Sequence, residues 1–157
     1  LFMAELLNTD EDAVGRMMQD PNASVALSDA GAHLTFFCDA GFGLHLMGHW
    51  SRDLGKLTLE QATHELTAKP AAIYRIPERG EIKEGFHADL LLFDPKTVGR
   101  GPKRRVHDLP GGGPRLTTDA VGVEGVWVNG VRVADAKGPV GAKGDPLPGR
   151  VLRAFGS

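Results

Sequence analysis

The residues best suited to chemistry lie in one short stretch, 28–33, which reads Ser-Asp-Ala-Gly-Ala-His. The stretch follows an apolar run, 24–27, that predicts a short buried strand. In parallel α/β folds the carboxyl ends of strands carry the catalytic groups, and Asp29 stands at such an end. The small residues around Asp29 leave room for a ligand to approach its carboxylate. On spacing alone, capping of the following segment is the simpler role for this aspartate, so both roles stay open at this point.

Two of the six histidines, His45 and His49, are spaced i, i+4 and share one face of a predicted helix. Such a pair is a two-ligand set for a metal ion. The zinc-protease motif requires a glutamate directly after its first histidine, and Leu46 stands there instead. Two histidines on a partly buried helix are therefore the simpler interpretation.

A basic run that includes Lys103, Arg104 and Arg105 lies in a segment, 97–119, without clear periodicity. A segment of this length without a helix or strand pattern predicts a long loop. Arginine can hold a carboxylate through two parallel hydrogen bonds, so Arg104 or Arg105 is a candidate to attract an acidic substrate. A solvated charged loop is the alternative.

Composition limits the class of protein. The chain has 157 residues, 41% hydrophobic and 24% charged, which is enough for one globular domain with a core. The net charge of −2 argues against a nucleic-acid partner, and no apolar run approaches the ~20 residues that span a bilayer. A single cysteine, Cys38, excludes an internal disulfide and a cysteine-cluster metal site. We therefore expect a cytoplasmic protein without nucleic-acid or membrane partners.

The elements that must position these residues are helices followed by strands. Periodicity and capping signals predict helices over 10–19, 43–54, 58–68 and 70–75, with Thr58 and Gln61 as a capping box. Strands are predicted over 88–93, 121–128 and 131–133, and Asn129-Gly130 predicts a two-residue hairpin turn. Residues 136–157 have the composition of a loose tail. A helix followed by a short buried strand is typical of α/β proteins.

Several motifs resemble one family in the same order along the chain. They are the stretch 28–33, the helix start at Thr58, the Lys-Pro-Ala-Ala at Lys69, the segment 79–95 and the final hairpin at 125–133. Together they resemble the C-terminal part of the amidohydrolase superfamily, in its branch of N-acyl-D-amino-acid deacylases (D-aminoacylases). The Gly-x-x-Ala-Asp-Leu element at 85–90 is common to many amidohydrolases, whereas the stretch 28–33 narrows the resemblance to the deacylase branch.

The resemblance implies an α/β fold, a metal-dependent (β/α)8 barrel with a small β-sandwich beside it. It also implies hydrolysis of an amide C–N bond in an N-acyl-D-amino acid, with a divalent metal, zinc, as cofactor. Asp29 matches the family's aspartate at the end of the last barrel strand, which lies beside the metal and handles the proton of the hydrolytic water. This match favours catalysis over capping for Asp29. Ser28, Gly31 and His33 are implied to contact the small acyl amino acid substrate.

The chain also departs from the family. An early His-x-His, a bridging ligand and two later histidines have no match here, and a full barrel takes ~250 residues. The chain starts Leu-Phe-Met, without an initiator methionine. We therefore expect the C-terminal portion of a longer deacylase, in which 1–76 ends the barrel and 77–157 supplies β-sandwich strands. Its partner would be the missing N-terminal barrel portion, and homo-oligomer formation stays open.

Two alternatives to a deacylase are kept. One is a non-catalytic truncated module, which shares with a deacylase fragment the expectation that the chain alone is inactive. The other is a cyclic-amide hydrolase similar to a dihydropyrimidinase. An upstream reading frame with His-x-His and two later histidines would support the enzyme, and a genuine start codon at this N-terminus would support the module.

We predict that the chain alone retains no tightly bound zinc. A catalytic zinc site generally has three protein ligands and an open position, and Asp29 supplies one ligand. Metal analysis after dialysis measures this. One retained equivalent that is lost on mutation of Asp29 or His33 would contradict the prediction, and loss only in a His45/His49 double variant would identify the helical pair as the site.

Overall fold

A computed structural model describes residues 8–26, 28, 30–142 and 144–153. Helices come first in these ranges: α1 (Glu11–Met18), α2 (Phe42–His45), a π-helix (Leu46–Asp53) that continues α2, α3 (Leu59–Leu66) and α4 (Ala68–Ile73). Short strands follow: β1 (Leu90–Phe93), β2 (Gly99–Arg100), β3 (Arg104–Val106), β4 (Arg115–Thr117), β5 (Ala120–Val121), β6 (Val123–Val128), β7 (Val131–Asp135) and β8 (Gly138–Pro139). None of the helices in the described ranges is long and apolar enough to cross a membrane.

The helix starts follow from capping side chains. Asp10 caps α1, because its carboxylate accepts hydrogen bonds from the backbone N–H groups of Asp12 and Ala13, both at 3.0 Å. At α3 the predicted capping box is present: Gln61 N donates to Thr58 Oγ1 at 3.2 Å, and Thr58 N donates to Gln61 Oε1 at 2.8 Å. The helices predicted over 10–19 and 58–68 are thus confirmed.

The helix predicted over 43–54 is confirmed in position but not in kind. Its second part has π-helical bonding, with Leu54 N donating to His49 O, five residues back, at 2.9 Å. The hydrogen bonds of a π segment span five residues instead of the four of an α-helix, and such segments are frequent at functional sites. Leu46 on this segment packs with Leu57 and Ala62 in a buried cluster, which Met18, Val25, Trp50 and Leu66 flank. Side chains from α1, the π-helix and α3 therefore share one small core.

The largest sheet is antiparallel, with strand order β1-β6-β7-β8. The predicted Asn129-Gly130 turn joins β6 to β7, with φ values of 49° and 80° that suit the tight turns favoured in hairpins. The turn is anchored from outside the hairpin, since Asn129 N donates to Asp89 Oδ1 at 2.8 Å and Arg79 donates to Asn129 Oδ1 at 2.7 Å. Along β1, Leu90, Leu91 and Leu92 are exposed.

The prediction of a loop over 97–119 is wrong in part. Within it β3 pairs with β4, and its β2 pairs with β5, which directly follows the segment, in two small antiparallel sheets. Strands of two or three residues are too short to produce a readable alternation, so the pattern missed them. Ion pairs across the second sheet help to hold it: Arg104 with Asp119 at 2.8 Å and Arg115 with Asp108 at 2.6 Å. The predicted tail is likewise partly structured, because β8 pairs with β7.

The buried strand predicted over 24–27 is not seen at residues 24–26, and Leu27 lies outside the described residues. A strand needs a neighbouring strand to take its backbone hydrogen bonds. The N–H of Val25 instead donates to a side chain, Glu65 Oε2, at 3.2 Å. Residues 24–26 are therefore held by a helix side chain rather than by a sheet.

The helices and the strands meet at one close backbone contact. Val98 is fully buried, and a Cβ placed on Gly48 of the π-helix would lie 2.6 Å from Val98 O and 3.1 Å from Gly99 Cα. Arg52, one turn on, donates to the same Val98 carbonyl. On the other side, Gly122 has a φ of +69°, and a Cβ there would meet Val98 N at 2.5 Å. Glycine at 48 and 122 therefore allows the chain to pass on both sides of Val98.

We predict that Gly48→Ala destabilises the fold by about 1–3 kcal/mol, the usual cost of overpacking a filled site. The added methyl meets backbone atoms, which cannot rotate away as a side chain could. Urea unfolding measures the loss. Gly43→Ala is the matched control in α2, because its new Cβ would lie 3.6 Å from Leu66 methyl groups, an ordinary contact. Equal stabilities of the two variants would refute the close contact.

Candidate functional site

The predicted site residues Ser28, Gly31 and His33 belong to one short turn. Ser28 Oγ accepts a hydrogen bond from Ala30 N at 3.1 Å. Gly31 has a φ of +101°, which a residue with a side chain adopts with strain. The carbonyl of His33 accepts from the N–H groups of Phe36 and Phe37, both at 3.0 Å. The contact of these three residues with a substrate stays a prediction.

The turn is open to solvent, which suits a binding segment. Gly31 and His33 are exposed, and a Cβ on Gly31 would meet no atom within 4 Å. The imidazole of His33 stacks on the ring of Phe36, with ring centroids 5.1 Å apart. His33 itself has a positive φ of 48°, uncommon for a non-glycine residue. Asp29 lies outside the described residues, so its place beside these groups stays a prediction.

Contacts on both sides tie this turn to the rest of the fold. Before it, the side chains of Glu65 and Lys69 bond to the backbone of Val25 and Ala23. After it, Leu116 N of β4 donates to Leu34 O at 2.8 Å. The sequence analysis missed Glu65 and Lys69. Their signal was a Glu-to-Lys spacing of i, i+4, which favours an ion pair on a helical surface.

The His45–His49 pair lies away from this turn, beside α1. The two imidazole rings stack 4.7 Å apart at an interplanar angle of 11°. His49 Nε2 is hydrogen-bonded to Glu11 Oε1 at 2.7 Å. Glu11, His45, His49 and Trp50 line an open cavity of about 610 Å³. The predicted sharing of one helix face by the two histidines is confirmed.

The described residues do not make a complete metal site. In the described ranges no three His, Cys, Asp or Glu side chains are grouped so that they could hold a metal ion. His49 Nε2 is already hydrogen-bonded to Glu11. His33 is exposed, and its ring stacks on that of Phe36. Asp29 lies outside the described ranges, so its part in a metal site stays a prediction.

The basic run is largely engaged in ion pairs. Arg104 donates two hydrogen bonds to Asp119, at 2.9 and 2.8 Å, and the pairing lowers the pKa of this carboxyl group. Lys103 lies 3.8 Å from Asp39. Since the guanidinium fork of Arg104 is already occupied by a carboxylate, these contacts favour the structural role over substrate binding for Arg104.

Comparison with known proteins extends this description. Residues 4–134 match the model of a family described as "Amidohydrolase family". This chain belongs to the amidohydrolase family. Family membership, together with likeness to solved structures of the family, implies a fold of the (β/α)8-barrel superfamily.

Among curated relatives, N-acyl-D-aspartate deacylase of Alcaligenes xylosoxydans xylosoxydans is 36% identical over 104 residues, 62% of this chain and 19% of that protein. N-acyl-D-glutamate deacylase of the same organism is 32% identical over 148 residues, 92% of this chain and 27% of that protein. Dihydroorotase of Carboxydothermus hydrogenoformans is similar over a shorter segment, 44% identical over 41 residues, 26% of this chain and 10% of that enzyme.

A solved structure of a deacylase is also similar to this chain. N-acyl-D-glutamate deacylase from Bordetella bronchiseptica, crystallised with zinc and a phosphonate mimic of the tetrahedral intermediate, has a TM-score of 0.56 and 38% identity. The match covers 73% of this chain and 21% of that one. The chain spans between 19% and 27% of the length of these three deacylases.

We predict that stability falls as the pH drops below 6.5, because of His45. Burial lowers the pKa of His45 from its ordinary value of 6.5. The positive charges of Arg100 and His49 lower this pKa further, and the carboxylates of Asp39 and Glu11 raise it in part. The unfolded chain therefore binds a proton that the folded chain resists, and stability is lost as the pH falls from 6.5 toward the folded pKa.

Urea unfolding between about pH 5.5 and 7.5 measures this slope around the ordinary histidine pKa. His45→Gln should flatten it, whereas His64→Gln, at an exposed position of α3, should leave it unchanged. A slope that survives in His45→Gln would assign the effect to another group.

Proposed function

We propose that this chain is part of a metal-dependent hydrolase that cleaves the amide C–N bond of N-acyl-D-amino acids. The observation that carries the proposal is the similarity of 92% of the chain to an N-acyl-D-glutamate deacylase. The exposure of Gly31 and His33 supports it, because a ligand can approach these residues from solvent.

In this proposal Asp29 is the catalytic residue. Its carboxylate takes the proton from the attacking water and gives it to the leaving nitrogen, the general base and then general acid role. Ser28, Gly31 and His33 contact the substrate. A divalent metal, which we propose to be zinc, would be held with ligands from the remainder of the longer protein.

The finer architecture is also proposed. Residues 1–76 would complete the barrel, so that 24–28 corresponds to its last strand. Residues 77–157 would supply strands of a small β-sandwich, a role that suits the antiparallel β1-β6-β7-β8 sheet. In the longer chain, neighbouring barrel strands would take the backbone groups of 24–26 that the side chain of Glu65 does not bond.

Assays on different substrates distinguish this function from two others. The similarity to a dihydroorotase keeps cyclic-amide hydrolysis as a second candidate, although the match covers 26% of this chain. A non-catalytic module would turn over neither class. The full-length protein should be assayed on N-acetyl-D-aspartate, N-acetyl-D-glutamate, an apolar N-acetyl-D-amino acid, their L forms and a cyclic amide. Turnover of the cyclic amide alone, or of nothing, would overturn the proposal.

We predict that Asp29→Asn in the full-length protein lowers turnover by about 10²–10⁴-fold, the usual contribution of a general acid–base group. Asparagine keeps the shape of aspartate but cannot take a proton. Steady-state kinetics on the preferred substrate measure kcat, and circular dichroism checks the fold. Asp145→Asn is the matched control in the C-terminal segment, where the carboxylate accepts a hydrogen bond from Ala142 N. An Asp29→Asn variant within a factor of two of wild type would remove Asp29 from the reaction.

A further inference from the structure

We propose that Glu65 and Lys69 are positioning residues, which hold the backbone at 23–25 and through it place Asp29 for catalysis. The inference rests on the proposed function and deepens it, because it names what holds the catalytic segment. Neither side chain would touch substrate or the reacting atoms. Both would act through the chain that leads into the turn at 28–33.

The contacts join one ion pair to two backbone groups. Lys69 Nζ lies 2.6 Å from Glu65 Oε1 and also donates to the carbonyl of Ala23. The other carboxylate oxygen, Glu65 Oε2, accepts from Val25 N at 3.2 Å. The pair thus binds an acceptor and a donor two residues apart, and each charged group divides its hydrogen bonds between its partner and this backbone.

Burial makes this arrangement more than a surface ion pair. The side chains of Glu65 and Lys69 are 10% and 17% exposed, so both charges are largely withdrawn from water. A buried charge needs hydrogen-bond partners, and the segment at 23–25 supplies two of them. The side chain of Val25 packs against the cluster of Leu46, Leu57 and Ala62, which fixes the same segment from its other side.

The position of the pair along the chain connects it to Asp29. Val25 is four residues before Asp29, so at most ~14 Å of extended chain separates them. Residues 30–33, which follow Asp29 in the chain, are exposed, and the next backbone tie to another part of the fold, from Leu116 N to Leu34 O, comes directly after them. The geometry of the turn therefore depends on how its two ends are held.

The test is a double-mutant cycle in the full-length enzyme. Glu65→Leu with Lys69→Met removes both charges together, so no lone charge is left buried and the fold should survive, as its melting temperature will show. We expect kcat to fall about 10–100-fold, because a displacement near 1 Å can cost 10²-fold. In an Asp29→Asn background the same double change should lower the residual kcat by less than about twofold, since residues that act through one group are not additive.

Two control variants and one exchange measurement complete the experiment. Glu60→Gln makes an acid-to-amide change at an exposed position of α3 and should keep wild-type kcat. Lys69→Arg keeps the positive charge and offers several N–H donors to the same two acceptors, Ala23 O and Glu65 Oε1, so kcat should stay within about threefold. Hydrogen–deuterium exchange of the peptide spanning 24–33 should rise in the double variant and stay at the wild-type rate in Glu60→Gln.

The outcomes separate the two proposals. Equal losses of kcat in the wild-type and Asp29→Asn backgrounds would overturn the positioning role, and unchanged exchange at 24–33 would overturn the tether itself. A kcat near wild type in Lys69→Arg, together with non-additive effects on kcat in the double-mutant cycle, would support both proposals. An inactive wild-type enzyme would defeat the deacylase proposal and with it the positioning role of the pair. The exchange measurement would still show whether Glu65 and Lys69 hold the backbone at 23–25.

Discussion

The helices and the sheets of this chain are joined through the backbone around Val98. Gly48 lets the π-helix come against the carbonyl of Val98, and Gly122 lets the start of β6 come against its amide. The guanidinium of Arg52 satisfies the carbonyl that this packing buries. A side chain at either glycine would separate the two parts by the width of a methyl group. The small core of Leu46, Leu57 and Ala62 can therefore form beside strands that contribute few residues to it.

The chain segments before and after the turn at 28–33 hold the candidate site in place. Residues 30–33 of this turn are exposed, as is usual for functional loops on a rigid scaffold. What orders its approach is polar: a buried carboxylate and a buried ammonium group bonded to the backbone before it. Polar anchors of this kind are directional, so they constrain the orientation of a segment as well as its distance from the core.

Sequence reasoning succeeded where one residue type has one local consequence. Asp10 and Thr58 indicated helix starts by their capping chemistry, and Asn129-Gly130 indicated a hairpin. Sequence reasoning failed at β2 to β4, since two- and three-residue strands carry no period. It also failed at the π-helix, since eight residues are too few for the apolar pattern to separate π from α bonding. Within the site, the grouping of Ser28, Gly31 and His33 followed from their nearness in sequence. The partnership of Glu65 and Lys69 with 23–25 spans about forty residues and depends on tertiary packing, so no local pattern contains it.

The exposed leucines of β1 have a consequence for how this chain behaves in solution. β1 lies at one edge of its sheet in the described structure, so one side of its backbone is free of sheet partners there, and Leu92 is 55% exposed. Such an edge is a template for a strand from another molecule, the first step of aggregation. Asp94, at one end of β1, opposes that step by its charge, whereas the carboxylate of Asp89 at the other end is paired with Arg79. Handled alone, the chain should therefore stay dispersed best at low concentration, where two such edges seldom meet.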